Sequence, residues 1–169
     1  VVEASKHAIA DRSRWMADDA FTDVPTDALL APWYLSERAA TYDPDRTGVS
    51  ESYGTAHAAL PEDGGTSHIS VIDSAGMAVA CTETINRIFG SCVGVPGFGF
   101  MLNDERDAFT THPGEPNAFG LIQSDRNAPE PGKRPLSSMS PTIVLDGERV
   151  VFIGGASGGP RIISGTLQV

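Results

Sequence analysis

Threonine becomes a nucleophile when a base stands beside its hydroxyl, and one stretch of this chain is built to supply both groups from a single residue. In Asp63-Gly64-Gly65-Thr66-Ser67-His68-Ile69-Ser70 two glycines run into a threonine that opens an alternating segment. Glycine leaves the backbone bare on the N-terminal side, so the Thr66 hydroxyl can reach the Gly65 carbonyl with no Cβ in its way. Cleavage there would make Thr66 a new N-terminal residue carrying a hydroxyl and a free α-amine. Such an amine has a pKa of roughly 7.7–8.0 and accepts protons near neutral pH, which activates the neighbouring hydroxyl. The same tripeptide opens many ordinary turns, so the residues alone leave both readings open.

A hairpin must position that threonine. From Thr66 the pattern has a period of two, with Thr66, His68, Ser70 and Ile72 on one face and Ser67, Ile69, Val71 and Asp73 on the other. Ser74-Ala75-Gly76 follows, and then a second strand from Met77 to Asn86. A three-residue loop with Gly in its last, left-handed position pairs Asp73 with Met77 and sets Thr66 opposite Thr84. Directly opposed side chains lie roughly 4.5–5.5 Å apart at Cβ. Asn86, two residues beyond, then shares the face, and Thr66, Thr84 and Asn86 form one polar patch. An exposed polar sheet face would carry the same pattern.

Further strands are predicted at 97–102 and 141–145, the latter turning through Asp146-Gly147 into 148–153. Residues 103–133, rich in Asp, Asn, Pro and Gly, read as a long irregular excursion, either a binding loop or a plain surface loop. Gly154-Gly155-Ala156-Ser157-Gly158-Gly159 links a strand to a helix-like run from Arg161. It lacks the Lys-Ser/Thr of a phosphate cradle. Its amides suit a developing oxyanion, and tight sheet-to-helix packing would use the same glycines.

Upstream, residues 1–20 contain no Gly or Pro and read as a helix packing through Val2, Ala8, Ile9, Trp15 and Met16. Pro25-Thr26-Asp27 and Pro32 suit short helix starts. Residues 41–64 turn polar and read as an exposed connector. Helices and a loose linker therefore precede Thr66, and β-rich sequence follows it.

The 169 residues have 40 % hydrophobic and 20 % charged content, as expected of one soluble globular unit. Twelve basic against 22 acidic residues give a formal charge of −10, which disfavours nucleic acid and anionic membranes as partners. Cys81 and Cys92 have no metal spacing, and Cys81 reads as a small buried residue. No signal peptide or membrane span is seen in this segment. The chain begins in helix-like sequence and stops at Gly165-Thr166-Leu167-Gln168-Val169, which reads as a piece of something longer.

Together these pieces resemble the γ-glutamyltransferase (γ-glutamyltranspeptidase) family of N-terminal-nucleophile hydrolases. The resemblance rests on Gly65-Thr66-Ser67-His68, Thr84-Ile85-Asn86, Arg134-Pro135-Leu136-Ser137-Ser138-Met139-Ser140-Pro141-Thr142 and Gly158-Gly159, in order and spacing. Ala10-Asp11-Arg12-Ser13 is similar to the end of the family's large subunit. The likeness implies an α+β fold, an αββα sandwich that is incomplete here. Residues 1–65 would close the large subunit and 66–169 would begin the small, catalytic one, with the rest of the large subunit as a partner.

The likeness implies cleavage between Gly65 and Thr66, with Thr66 as the nucleophile and its amine as general base. Thr84 would orient the Thr66 hydroxyl, Asn86 would contact the donor, Ser137 and Ser138 would hold its α-carboxylate, and the Gly158 and Gly159 amides would form the oxyanion hole. His68 is read as structural. Donors would be glutathione and similar γ-glutamyl amides, acceptors water or an amino acid, with no metal or organic cofactor. Family members are often periplasmic or secreted. The family's acidic motif, Asn-Asn-(Gln/Glu)-Met-Asp-Asp-Phe, grips the donor's α-ammonium group through its second Asp. Here the stretch is Asn103-Asp104-Glu105-Arg106-Asp107-Ala108-Phe109, with Glu105 fitting and Asp107 as the nearest remaining carboxylate. Ala108 keeps open a related acylase of the cephalosporin or glutaryl type. An unprocessed, inactive piece is the third possibility.

Overall fold

The computed structural model describes residues 1–53 and 65–169. The connector expected at 41–64 therefore lies partly outside the described residues, as do Asp63 and Gly64 of the glycine stretch. Helices and small antiparallel sheets make this an α+β chain, and its contacts separate two units, Val1–Pro61 with Arg106–Leu136 and Glu62–Glu105 with Ser137–Val169.

In the first unit, helix α1 spans Val2–Trp15, α2 spans Thr26–Leu29 and α3 spans Pro32–Ala39. Pro25 precedes α2 and Pro32 is the first residue of α3, where a missing N–H leaves no helical bond unmade. Helix α1 is shorter than the run of helix-compatible residues: Met16 is already extended, and the buried positions are Ala10 and Ser13, while Val2 and Ala8 are exposed. Tertiary bonds override local propensity here. The Ser13 carbonyl accepts the Ser124 amide, and Asp18 turns inward to accept three bonds from Arg134, through the Arg134 backbone amide, Nε and Nη2. That grip holds the Asp18 carboxyl well below the usual carboxylate range. Residues 106–136 are ordered without regular strands, and their interior includes Leu121, Gln123, Asn127 and Lys133.

In the second unit, β1 (Thr66–Ile72) pairs antiparallel with β2 (Ala78–Thr84), and β3 (Thr142–Asp146) pairs with β4 (Arg149–Gly154). The register between β1 and β2 is the expected one, with Thr66 opposite Thr84. Its loop closes through Asp73, whose backbone N–H donates to the Met77 carbonyl at 3.0 Å and whose side chain accepts the amides of Ala75 and Met77. Gly76 takes the left-handed conformation the loop needs, at φ 89°. Strand β2 ends two residues early, at Thr84, because Asn86 adopts a left-handed φ of 75°. The second hairpin turns at Gly147-Glu148, with Asp146 and Arg149 still paired and a bulge between Val144 and Leu145. Strand β4 also lies against β1 and β2, and α4 (Ile162–Gln168) buries Ile162.

Two expectations need correction. Residues 97–102 form no strand; Gly97 and Gly99 sit at φ 81° and 73°, which breaks a ladder after the single bridge between Gly94 and Met101. Cys81 is exposed, because it lies with Ile69, Val71 and Val79 on a sheet face that is exposed among the described residues. Among the described residues no helix is long and apolar enough to cross a membrane.

Candidate active site

The second unit brings the glycine junction and the threonine pair together. Thr66 begins β1 and Thr84 ends β2, so the pairing places both half-buried hydroxyls on one sheet face. Thr66 Oγ1 donates to Thr84 Oγ1 at 3.1 Å, and Thr84 Oγ1 donates to the Gly65 carbonyl at 2.9 Å. The Asn86 amide donates to the same Thr84 oxygen at 2.8 Å. Thr84 thus accepts two protons and gives its own to the carbonyl of the peptide that precedes Thr66. The Ile85 amide adds a second, longer bond to that carbonyl, at 3.4 Å. Gly65 is tied to this arrangement by space. A Cβ there would overlap the Asn86 carbonyl, and backbone cannot swing away as a flexible side chain could.

Asn86 joins the cluster differently from the sequence expectation. It stands beyond the strand, is buried, and donates its side-chain amide to the Asp104 carbonyl at 3.1 Å. The Asp104 amide returns a bond to the Ile85 carbonyl, and the Arg87 Nε–H bonds the Asp104 carboxylate at 2.6 Å. The left-handed turn after β2 is therefore stapled to the 103–105 segment. Glu105 follows directly, with its amide donated to Asn103 Oδ1 at 3.0 Å.

The glycine loop after β4 is held near the same hairpin. A Cβ on Gly155 would collide with the His68 imidazole, so only glycine permits that approach. Both ring nitrogens of His68 are occupied, Nδ1 by the Thr82 hydroxyl at 2.7 Å and Nε2 by the Ser70 hydroxyl at 2.9 Å. His68 thus has bonding partners of its own on the sheet. Gly158 and Gly159 sit at φ 133° and 51° as the chain turns through Gly159–Arg161 into α4. Other residues would be strained at both positions.

Ser137 is exposed, and its hydroxyl accepts the Met139 amide at 3.1 Å; Ser138 is half-buried, and its carbonyl accepts the Ser140 hydroxyl at 3.1 Å. Asp107 belongs to the first unit, where its two carboxylate oxygens accept the Ala118 amide at 3.2 and 3.1 Å. No group of His, Cys, Asp and Glu able to hold a metal ion occurs among the described residues.

A sequence model of the gamma-glutamyltranspeptidase family matches residues 1–169. The chain belongs to that family. It is 44% identical over 169 residues to a glutathione hydrolase proenzyme of Pseudomonas aeruginosa, covering 100% of this chain and 30% of that protein. Over 169 residues it is 41% identical to the glutathione hydrolase proenzyme of Escherichia coli, covering 100% of this chain and 29% of that protein. The chain thus spans about 30% of the length of these relatives. Among solved structures it is similar to a gamma-glutamyltranspeptidase from Pseudomonas nitroreducens complexed with L-DON. That match has TM-score 0.58 and 52% identity, and covers 60% of this chain and 52% of the other.

One contributor to the Thr66 cluster carries no signal in the sequence. The Ile85 amide reaches the Gly65 carbonyl only because β2 carries it there, and a backbone N–H leaves no mark in a sequence. In the first unit, outside this cluster, Asn127 is fully buried, one polar residue among many in a loop-like stretch. No local signal separates it from the other Asn and Asp of residues 103–133.

Proposed function

We propose that this chain spans the self-cleavage junction of a γ-glutamyl transferase/hydrolase, with residues 1–65 closing a large subunit and 66–169 opening the catalytic one. In this reading the β1–β2 and β3–β4 hairpins are part of an αββα sandwich whose remaining elements belong to the rest of the protein. One observation carries the reading: the hydroxyl relay from Thr66 through Thr84 to the Gly65 carbonyl, in a chain whose relatives are named glutathione hydrolase proenzymes.

The relay has a simple chemical use. As Thr66 Oγ1 bonds to the Gly65 carbonyl carbon, its proton passes to Thr84 Oγ1, and the Thr84 proton passes to the carbonyl oxygen. The Ile85 N–H stabilises the same oxygen as charge develops. Breaking the C–N bond with proton return to nitrogen leaves an ester on Thr66 and a free α-amine. Water then hydrolyses that ester and releases Gly65 as a carboxylate.

In the mature form the Thr66 amine takes the hydroxyl proton while Oγ1 attacks the γ-carbonyl of a donor such as glutathione. The Gly158 and Gly159 amides stabilise the oxyanion, and the departing amine leaves with the proton. Water or the amine of an amino acid then takes the acyl group from Thr66. Asn86, Glu105, Asp107, Ser137 and Ser138 hold the donor's α-carboxylate and α-ammonium ends. An ionised carboxylate has about four acceptor positions, so the Ala118 amide leaves Asp107 room for an ammonium.

The test uses the full-length protein. Mass spectrometry is expected to show a split between Gly65 and Thr66, and the split protein is expected to release aniline from a γ-glutamyl anilide. Thr66→Ala should abolish both. Self-cleavage or turnover surviving in Thr66→Ala would overturn the assignment.

A further inference from the structure

Asp104 holds three successive residues beyond the end of β2, and it uses a different group for each. Its backbone N–H donates to the Ile85 carbonyl at 3.1 Å, and its own carbonyl accepts the Asn86 side-chain amide at 3.1 Å. Its carboxylate takes Arg87, which reaches one oxygen through both Nε–H, at 2.6 Å, and Nη2. Bonds between ionised partners are the stronger kind. Asp104 is half-buried and Arg87 is exposed. The segment that carries Asp104 is itself fixed. The Ser91 amide donates to the Leu102 carbonyl at 3.0 Å, and the Leu102 amide donates to the Val93 carbonyl at 2.9 Å.

The residues held by Asp104 are those that meet the Gly65 peptide. Ile85 gives its carbonyl to Asp104 and its N–H to the Gly65 carbonyl, at 3.4 Å. The Asn86 amide donates to Thr84 Oγ1 at 2.8 Å, and Thr84 Oγ1 donates to the Gly65 carbonyl. The Asn86 carbonyl also lies where a Cβ on Gly65 would stand. Asn86 does this at φ 75°, a conformation that persists in a residue other than glycine only when its surroundings impose it. With the grip on Arg87 released, the turn is free to relax toward extended backbone. The Ile85 bond, already the longest of the set, is the first to be lost.

We infer that Asp104 is a positioning residue for self-cleavage, anchored by Arg87: through the turn at 85–87 it keeps the Ile85 amide and the Thr84 hydroxyl on the Gly65 carbonyl oxygen. This inference rests on the proposed cleavage between Gly65 and Thr66. All of its residues belong to the second unit. The pair acts through the turn and not on the reacting atoms.

The experiment follows self-cleavage of the full-length precursor, made by cell-free synthesis, with mass spectrometry as the readout. Rates are taken well below each variant's thermal midpoint, so that folded protein is compared with folded protein. Arg87→Met keeps the stem and removes both donors, and Asp104→Leu removes the acceptor. Each is expected to cleave about tenfold more slowly, and the double variant no more slowly than the slower single one, because both changes break one interaction. Arg87→Lys supplies a charged donor without the planar fork and is expected to come within about threefold of wild type. A lowered thermal midpoint with an unmoved cleavage rate in Arg87→Met means that the pair serves stability alone, and overturns the inference. Single effects that multiply in the double variant overturn it too, as does Arg87→Lys cleaving no faster than Arg87→Met. If Asp104→Leu does not fold, the exposed position decides through Arg87→Met and Arg87→Lys. A wild type that does not split between Gly65 and Thr66 sinks the functional reading and this inference with it. A wild type that splits, with variants that split equally fast, sinks the inference only.

Discussion

The Thr84 hydroxyl donates to the carbonyl oxygen of Gly65 at 2.9 Å while accepting the hydroxyl of Thr66, the residue on the other side of the same peptide bond. One side chain thus touches both the group that would attack and the oxygen that would take up charge. The hairpin register makes this possible, since a slip of one residue would turn Thr84 to the opposite face.

Thr84→Val keeps the shape of the side chain and removes the relay. Self-cleavage in the full-length protein is expected to slow by roughly 10²-fold, the usual effect of losing a donor to a developing oxyanion. Thr84→Ser retains the hydroxyl and should restore most of the rate. The fraction cleaved over time on a denaturing gel reads both, and equal rates for Val and Ser would remove Thr84 from the mechanism.

Gly155→Ala separates the two carbonyl chemistries. The added methyl meets the His68 ring and must displace the loop that leads to Gly158 and Gly159. The Gly65 carbonyl, by contrast, is held by Thr84 and Ile85. Turnover of a γ-glutamyl anilide is therefore expected to fall by about tenfold or more, with self-cleavage near the wild-type rate. Parallel loss of both would count against separate oxyanion sites.

Ala108 offers a methyl group where the family pattern has a carboxylate. Ala108→Asp is expected to raise the preference for a γ-glutamyl over a glutaryl anilide by about tenfold, since an added carboxylate favours the donor that carries an ammonium. The ratio of kcat/KM for the two anilides measures this. An unchanged ratio would place the ammonium elsewhere.

Acid should loosen the first unit through Glu3. Its carboxylate accepts from Thr47, Tyr53, Lys6 and the Gly48 amide, which together hold its pKa at about 2. An unfolded Glu titrates near about 4.3, so the folded value is the lower one. The contribution is thus fully present above about pH 5 and is lost as pH falls through the window toward 2. Glu3→Gln is expected to lower the thermal midpoint at pH 7 and to approach wild type near pH 2. A difference independent of pH would rule out the carboxylate as the cause.

Much of the junction is legible in the sequence. Alternation from Thr66, a Gly-closed three-residue loop and a second alternating run are short-range signals, and together they set Thr66 opposite Thr84. Proline marked the starts of α2 and α3 for the same local reason, a fixed φ and an absent donor. The motif at Arg134–Thr142 and the Gly158-Gly159 pair carried the family resemblance by residue type and order.

What only the tertiary structure decided were contacts between segments distant in sequence. Helix α1 stops at Trp15 although residues up to 20 are helix-compatible, because Asp18 is drawn to Arg134. Asn86 leaves the strand with a left-handed backbone and spends its side chain on Asp104, which alternation alone would have kept on the polar face. Glycines at 97 and 99 dissolve a strand that composition suggested. Asn127 acquires its place only when residues 108, 123 and 136 close around it. Local pattern governs which way a side chain faces along a strand. Which backbone groups a buried amide must satisfy depends on how the chain returns to it, and that information is spread over the whole sequence.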